Sequence, residues 1–368
     1  MMRMAFFLLV LGHGLIHLLG FVKAFGLFDV ILLTQPISKP FGVVWLLAFL
    51  LFVLAAIRFT FKNSHWWLFG ILAVVTSQFL IILFWPDAKF GTLANGIILI
   101  AALIGYATSR YYVTYQDAVK TGLQQATYFQ PSDLTETDIR HLPEPVQKYL
   151  RFTGCLNKPK VNNFKVAFTG KIRKDEQSEW MPFTSEQHNF MHTPTRLFFM
   201  KAAMKGLPVA GYHCFGKGDA WMDIRLLSLF RVQYQEGLEM NVSETVTFFN
   251  DMCCLAPATL IDRRIKWLEV ESNRVKASFT HNQITVSAWL YFNEQGALTN
   301  FISDDRYSAE AGKQLPWSTP LKDYQPINGY HLMRNAEAIY TYPDRALCYG
   351  AFQLTGITYN CQYPNSEN

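Results

Sequence analysis

Four apolar stretches crowd the first 110 residues, and no other feature of this chain restricts its fold as strongly. They cover residues 4–22, 41–57, 66–85 and 90–109. Each is close to the ~20 residues a helix needs to cross hydrocarbon. Arg58, the pair Pro86 and Asp87, and Arg110 stop the last three. Trp66, Trp67, Trp85, Tyr111 and Tyr112 lie at stretch ends, as interfacial aromatic anchors should. Arg3 before the first stretch permits a signal-peptide reading. No small-x-small cleavage site follows the apolar core, however, so an uncleaved helix is expected.

Charge separates this region from the rest. Residues 1–120 hold eight Lys or Arg and three Asp or Glu, whereas residues 121–368 hold 25 of each. The basic excess therefore belongs to the apolar part, where it can orient spans. With the N-terminus inside, Arg3, Arg58, Lys62, Arg110 and Lys120 fall on the inner side and Lys23, Lys39 and Lys89 on the outer. That bias predicts a multi-pass cell-membrane protein with its soluble domain in the cytoplasm. Six cysteines, all beyond residue 150 and without a C-x-x-C pair, fit free thiols in a reducing compartment. No basic run with interleaved aromatics points to nucleic acid.

The first span contains GHGLIHLLGF, with His13 and His17 one helical turn apart. A metal or haem site is the sharper reading. The other three spans offer no Asp, Glu, Cys, Met or His to complete one, and two histidines on one helix cannot grip a haem iron from both sides. Neutral imidazoles bonded to polar groups of neighbouring helices are expected instead, with Gln78 and Asn95 as partners. Gly12, Gly14 and Gly20 would let a neighbour come close. A proton path stays open as a third reading. No cofactor is implied.

Residues 111–131 read as a polar, partly helical connector, giving expected domains of 1–110, 111–131 and 132–368. Residues 142–154, LPEPVQKYLRFTG, read as a short amphipathic helix, with Pro145 near its start and Gly154 at its stop. Period-two alternation then takes over. Phe164, Val166 and Phe168 alternate with Lys165 and Thr169. Residues 284–292 and 336–342 alternate likewise, with turn signals at 293–296, Asn328-Gly329 and Pro343-Asp344. One helix interrupts the strands, and Asn241 followed by Glu244 reads as its N-cap. The expected class is four transmembrane helices followed by a β-rich α+β domain: a strongly curved antiparallel sheet with one or two helices packed in its concave side.

The segments LPEPVQKYLRFTG, GLPVAGYHCFGKGDAWMDI and LPWSTPLKDYQPINGYHLM resemble an uncharacterised bacterial family, a domain of unknown function often preceded by membrane helices. The resemblance covers about residues 140–360 and assigns no functional residues. The helix-plus-curved-sheet pattern also resembles lipoprotein-carrier folds at the level of fold alone.

Standard catalytic motifs are missing: there is no G-x-S-x-G, phosphate loop or H-E-x-x-H. Gly216-Lys217-Gly218 begins like a dinucleotide loop, but Trp221 stands where the third glycine belongs. His188 and His192 have ligand spacing but approach Pro194. Asp304, Asp305 and Arg306 form the densest polar cluster in a strand context. Two carboxylates beside a guanidinium suit acid–base work or an anion clamp; a solvated salt bridge is the plainer reading. Two functions follow. One is binding of an apolar or lipid-like ligand in the curved sheet, with Trp221, Trp289, Trp317, Arg306 and Glu337 as candidate contacts. The other is an enzyme acting on a membrane-associated substrate through Asp304, Asp305 and Arg306. The bilayer is the expected partner, and the sequence sets no oligomeric state.

Overall fold

The computed structural model describes residues 2–126, 132–217 and 219–363. Gly218, of the discarded dinucleotide loop, and residues 127–131 of the expected connector lie outside them. The chain divides into two compact units, Met1–Val113 and Thr114–Asn368.

The first unit holds α1 (Met2–Ala24), α2 (Lys39–Thr60), α3 (Trp66–Leu83), the short α4 (Trp85–Ala88) and the start of α5 (Gly91–Ala126). Four of these helices are long and apolar enough to cross a membrane. They expose large apolar side chains such as Leu8, Leu47, Val75 and Ile100. In water that would be costly; in hydrocarbon it is the matching surface. Tight contacts run through α1. A Cβ at Gly20 would lie 2.2 Å from the Trp45 ring, and one at Gly14 would lie 2.7 Å from Phe52, whereas Gly12 faces open space. Two of the three glycines thus admit a neighbour. Helix α5 does not stop near residue 109; it continues to Ala126. Tyr115, Val119 and Leu123 recur at every fourth position of that extension and are buried.

The second unit continues with α6 (Glu136–Ile139) and α7 (Glu144–Phe152), then β1 (Asn163–Ile172), β2 (Met181–Phe190), β3 (Thr195–Met204), β4 (Leu207–Gly216), β5 (Asp219–Leu226) and β6 (Phe230–Glu236). Next come α8 (Leu238–Leu255) and a 3-10 turn (Pro257–Ile261). The remaining strands are β7 (Ile265–Val270), β8 (Arg274–His281), β9 (Ile284–Phe292), β10 (Leu298–Ser303), β11 (Tyr307–Ser308), β12 (Lys313–Gln314), β13 (Trp317–Ser318), β14 (Leu321–Ile327), β15 (Tyr330–Thr341) and β16 (Ala346–Tyr359). One antiparallel sheet runs β6-β5-β4-β3-β2-β1-β16-β15-β13-β10-β9-β8-β7, with β14 added on β15. It is a strongly curved half-barrel whose two ends, β6 and β7, stay unjoined. β11 and β12 form a separate ribbon.

Alternation decides which side of each strand faces in. On β9, Val286, Ala288, Leu290 and Phe292 are buried, whereas Thr285, Ser287, Trp289 and Tyr291 are partly or fully exposed. Helix α8 lies on the concave side. Phe248 and Phe249 stack on Phe279 at 5.9 and 5.7 Å, and Phe249 meets Phe301 edge-on at 5.5 Å. These rings form the centre of the domain's main apolar cluster. On the other face of β3 and β4, Tyr115 of α5 packs on Phe199 and Tyr212. The helix start differs from the expected one. α8 begins at Leu238 behind Gly237, whose φ is 97°. Asn241 is already inside the helix, and its side chain accepts from the Ala220 N–H at 2.7 Å. The expected capping pair fails because both its members are engaged with the sheet or its interior. All six cysteines are free thiols.

Candidate functional site

The alternation of β3 turns Arg196 inward beside Phe198 and Met200. On β2, Asn189 lies opposite Arg196 and Gln187 opposite Phe198, so both amides join the same face. On α8, Glu244 and Asp251 are seven residues apart, which is two turns and therefore one side of the helix. These five residues converge. The Arg196 guanidinium donates from Nε to Asp251 at 2.9 Å, from one terminal nitrogen to Glu244 at 3.1 Å and from the other to Gln187 at 3.1 Å. Asp251 also accepts from Gln187 at 2.7 Å and Asn189 at 3.0 Å. Arg196, Glu244 and Asp251 are 8%, 2% and 6% exposed.

A second guanidinium closes the group. Arg306 donates to Tyr340 Oη at 3.1 Å, to the Ser243 carbonyl at 2.9 Å and to the Thr247 hydroxyl. It lies 3.9 Å from Glu244 and over the Trp317 ring at 4.7 Å. Two guanidiniums thus face two carboxylates in the interior. Burial opposes the charge on Glu244, but Arg196 and Arg306 outweigh it and hold its pKa below the usual glutamate range. Asp251 has Arg196 as its guanidinium partner and burial dominates, so its pKa rises. His213, on the neighbouring β4 and 5.4 Å from Phe198, is lowered to about 4. Burial is the main cause; the Glu244 carboxylate opposes it and both guanidiniums add to it, so the ring is neutral at pH 7.

The residues singled out from sequence do not gather in one place. Arg306 and Trp317 belong to this cluster, and the Trp317 indole donates to Tyr349 Oη at 3.0 Å. Asp304 is exposed, and Asp305 turns away to accept from the Ser287 N–H at 2.6 Å. The three consecutive residues therefore diverge. Trp289 is on the outer face beneath Arg274, at 4.4 Å. Trp221 packs edge-on against Tyr212 at 4.8 Å. Glu337 is 3.6 Å from Lys322 with its side chain 37% exposed. His188 is bonded through Nδ1 to Tyr115 Oη at 2.8 Å. Arg196, Glu244, Asp251, Gln187 and Asn189 escaped sequence reasoning. Their one signal was a pair of acids two turns apart in a helix otherwise rich in Phe, Met and Cys.

In the first unit, His13 bonds to Asn95 at 2.9 Å and His17 to Ser77 at 2.8 Å; His17 also bonds the His13 carbonyl. Asn95 donates to Ser77 and to Gln78 at 3.0 Å each. Gln78 therefore enters one step removed, and Ser77 takes the place expected for it. No cluster of three or more His, Cys, Asp or Glu able to hold a metal occurs among the described residues.

Thirteen residues of α8, from Ser243 to Leu255, are buried. A shallow depression of about 300 Å³ opens at the first turn of the helix, lined by Leu238, Glu239, Val242, Tyr307 and Gln314. A ligand placed between α8 and the sheet would therefore have to displace the helix.

Among solved structures, a LolA superfamily protein from Nitrosomonas europaea is similar, with 9% identity over 60% of this chain and 93% of that one, at a TM-score of 0.35. A DUF1329 family protein from Desulfovibrio piger also matches at 9% identity, over 64% of this chain and 96% of that one, with a TM-score of 0.33. No curated protein matches the chain. Residues 132–352, which hold the half-barrel up to β16 and the whole α8 cluster, match one family throughout. The chain belongs to DUF6544, a family of unknown function.

Proposed function

We propose that the β domain is a membrane-tethered binding module for a single-chain amphiphile with an anionic head, such as a fatty acid, taken up between α8 and the concave sheet. The composition of α8 carries this reading. Six of its thirteen buried residues are polar: Ser243, Glu244, Thr245, Thr247, Asn250 and Asp251. A helix that only filled a core would be held more firmly by hydrocarbon, since replacing buried ion pairs with apolar side chains often adds ~1–4 kcal/mol. Polar contacts can instead exchange with water as the helix withdraws. The wall it leaves, including Phe215, Phe279, Leu290 and Phe301, is apolar. Arg196 and Arg306, parted from Glu244, would meet the ligand's head. The depression at the first turn of α8 is where entry begins. The catalytic alternative has less support, because Asp304, Asp305 and Arg306 point apart.

Photolabelling of the full chain with a diazirine-bearing fatty acid tests this. Label is expected on α8 and on β8 to β10. Asn250→Cys with Thr319→Cys, whose native side chains lie 3.1 Å apart, should tie α8 down in a background lacking the native cysteines. Labelling should then fall and return on reduction. Label confined to residues 1–113 would remove the reading. The domain is further proposed to be cytoplasmic, on the five-to-three bias of inner over outer Lys and Arg. A reporter active only outside the membrane, fused after Ser109, should stay silent.

A further inference from the structure

We infer that the two adjacent hairpin tips joining β3 to β4 and β5 to β6 dock into the surface of an anionic lipid bilayer. The β3–β4 tip carries Met204, Lys205, Gly206 and Leu207; the β5–β6 tip carries Leu227, Ser228, Leu229 and Phe230. They are neighbours, because Val209 pairs with Leu226 and the Leu227 N–H donates to the Pro208 carbonyl at 2.8 Å. Met204, Leu207, Leu229 and Phe230 are 39%, 47%, 50% and 62% exposed. Four large apolar side chains presented together at loop tips are what an interface between water and acyl chains accommodates.

Two further observations select lipid as the occupant. The first is charge. Segments 199–210 and 223–235 hold four basic residues, Lys201, Lys205, Arg225 and Arg231, and one acid, Asp223. Lys205 is exposed between the apolar residues of its own tip. At the far end of the sheet, Leu268 and Val270 on β7 are as exposed, but Glu269 and Glu271 beside them pair with Lys276 and Arg274, and residues 265–276 hold three basic residues against two acids. Anionic headgroups attract the more basic tips more strongly.

The second observation is position within the domain. Tyr115 of α5 lies against Phe199, and Gly122 lies against the ring of Phe190, which pairs with Thr195. Helix α5 thus runs antiparallel to β3. Met204 lies five residues beyond Phe199, roughly 17 Å along the strand, toward the end of the unit where the chain enters at Thr114. The residues preceding that entry are the fourth apolar helix. The tips accordingly extend toward the end of the domain that is covalently joined to the spans. The β5–β6 turn is tight: Leu227 and Ser228 both adopt left-handed φ, 55° and 57°.

The test is hydroxyl-radical footprinting of the full chain in phosphatidylcholine vesicles containing a minority of phosphatidylglycerol, against the same protein in amphipol. Met204, Leu207, Leu229 and Phe230 should lose reactivity severalfold in vesicles, while Leu268 and Val270 keep theirs. Leu229→Asp with Phe230→Asp alters only exposed side chains and should restore reactivity at Met204 while the melting temperature stays unchanged. Equal reactivity of the tips in vesicles and amphipol would overturn the inference. So would protection that fades as the protein is diluted in lipid, which would make a second copy of the chain the occupant.

Discussion

The two units bury polar groups in opposite ways. In the helical unit, His13, His17, Ser77 and Asn95 form a chain of uncharged donors and acceptors. In the β unit, Arg196, Glu244, Asp251 and Arg306 bury full charges. The difference is the one that a bilayer around the four apolar helices and water around the β unit would require. A helix side chain in hydrocarbon has no water to fall back on, so small neutral groups that satisfy one another cost least. A β domain folding from water can bury charge if each charge finds a partner, and it then depends heavily on every partner being present.

The contrast can be broken most directly at Arg196. Arg196→Met leaves Glu244 and Asp251 buried without their shared guanidinium, and a loss of about 3–5 kcal/mol is expected. Thermal unfolding of the full chain in detergent should show the β unit melting far earlier while the helical unit keeps its helicity. Adding Glu244→Gln and Asp251→Asn should recover most of the loss. Failure to recover would mean that Arg196 acts through packing and not through charge.

Acid gives the next largest effect. His188 and His213 are each lowered to about 4 from 6.5, mainly by burial. Between those two values the unfolded chain binds more protons than the folded one, so stability falls as pH falls. It should be fully present above about 6.5 and lost progressively toward 4, by on the order of 2 kcal/mol per histidine. Melting temperatures of wild type and His213→Asn across this range check it. A variant as acid-sensitive as wild type would assign the loss elsewhere.

The helical unit should respond more weakly. Leu at both His13 and His17 removes hydrogen bonds worth ~0.6–2 kcal/mol each and should loosen the bundle modestly. Gln at both keeps a donor and an acceptor and should leave expression and helicity unchanged. Purified wild-type protein should carry no stoichiometric metal and show no Soret band. One equivalent of metal that disappears in the double-Gln variant would make α1 a site in its own right.

Much of the fold was legible because it is local. The apolar stretches of the first 110 residues became helices, and the alternation at Phe164, Val286 and Ala336 became β1, β9 and β15. The continuation of α5 to Ala126 was visible in the fourfold spacing of Tyr115, Val119 and Leu123, although the polar residues between them suggested a connector. The candidate site was far less legible. Glu244 looked like half of a cap, because a Ser, Asn or Asp followed by Glu is a local signal, whereas its actual partner is 48 residues away.

The sequence by itself determined which segments are apolar along their length, which alternate, and where turns interrupt them. It thereby determined a helical region suited to a bilayer and antiparallel strands with one face on a core, since both follow from side-chain order over a few residues. Only the tertiary structure decided that Arg306 parts from Asp304 and Asp305, that Trp289 faces outward while Trp317 supports a guanidinium, and that α8 fills the sheet with charge. Those outcomes depend on how the sheet curls and which strands it brings opposite one helix. Such distances run across tens of residues, and no local pattern encodes them.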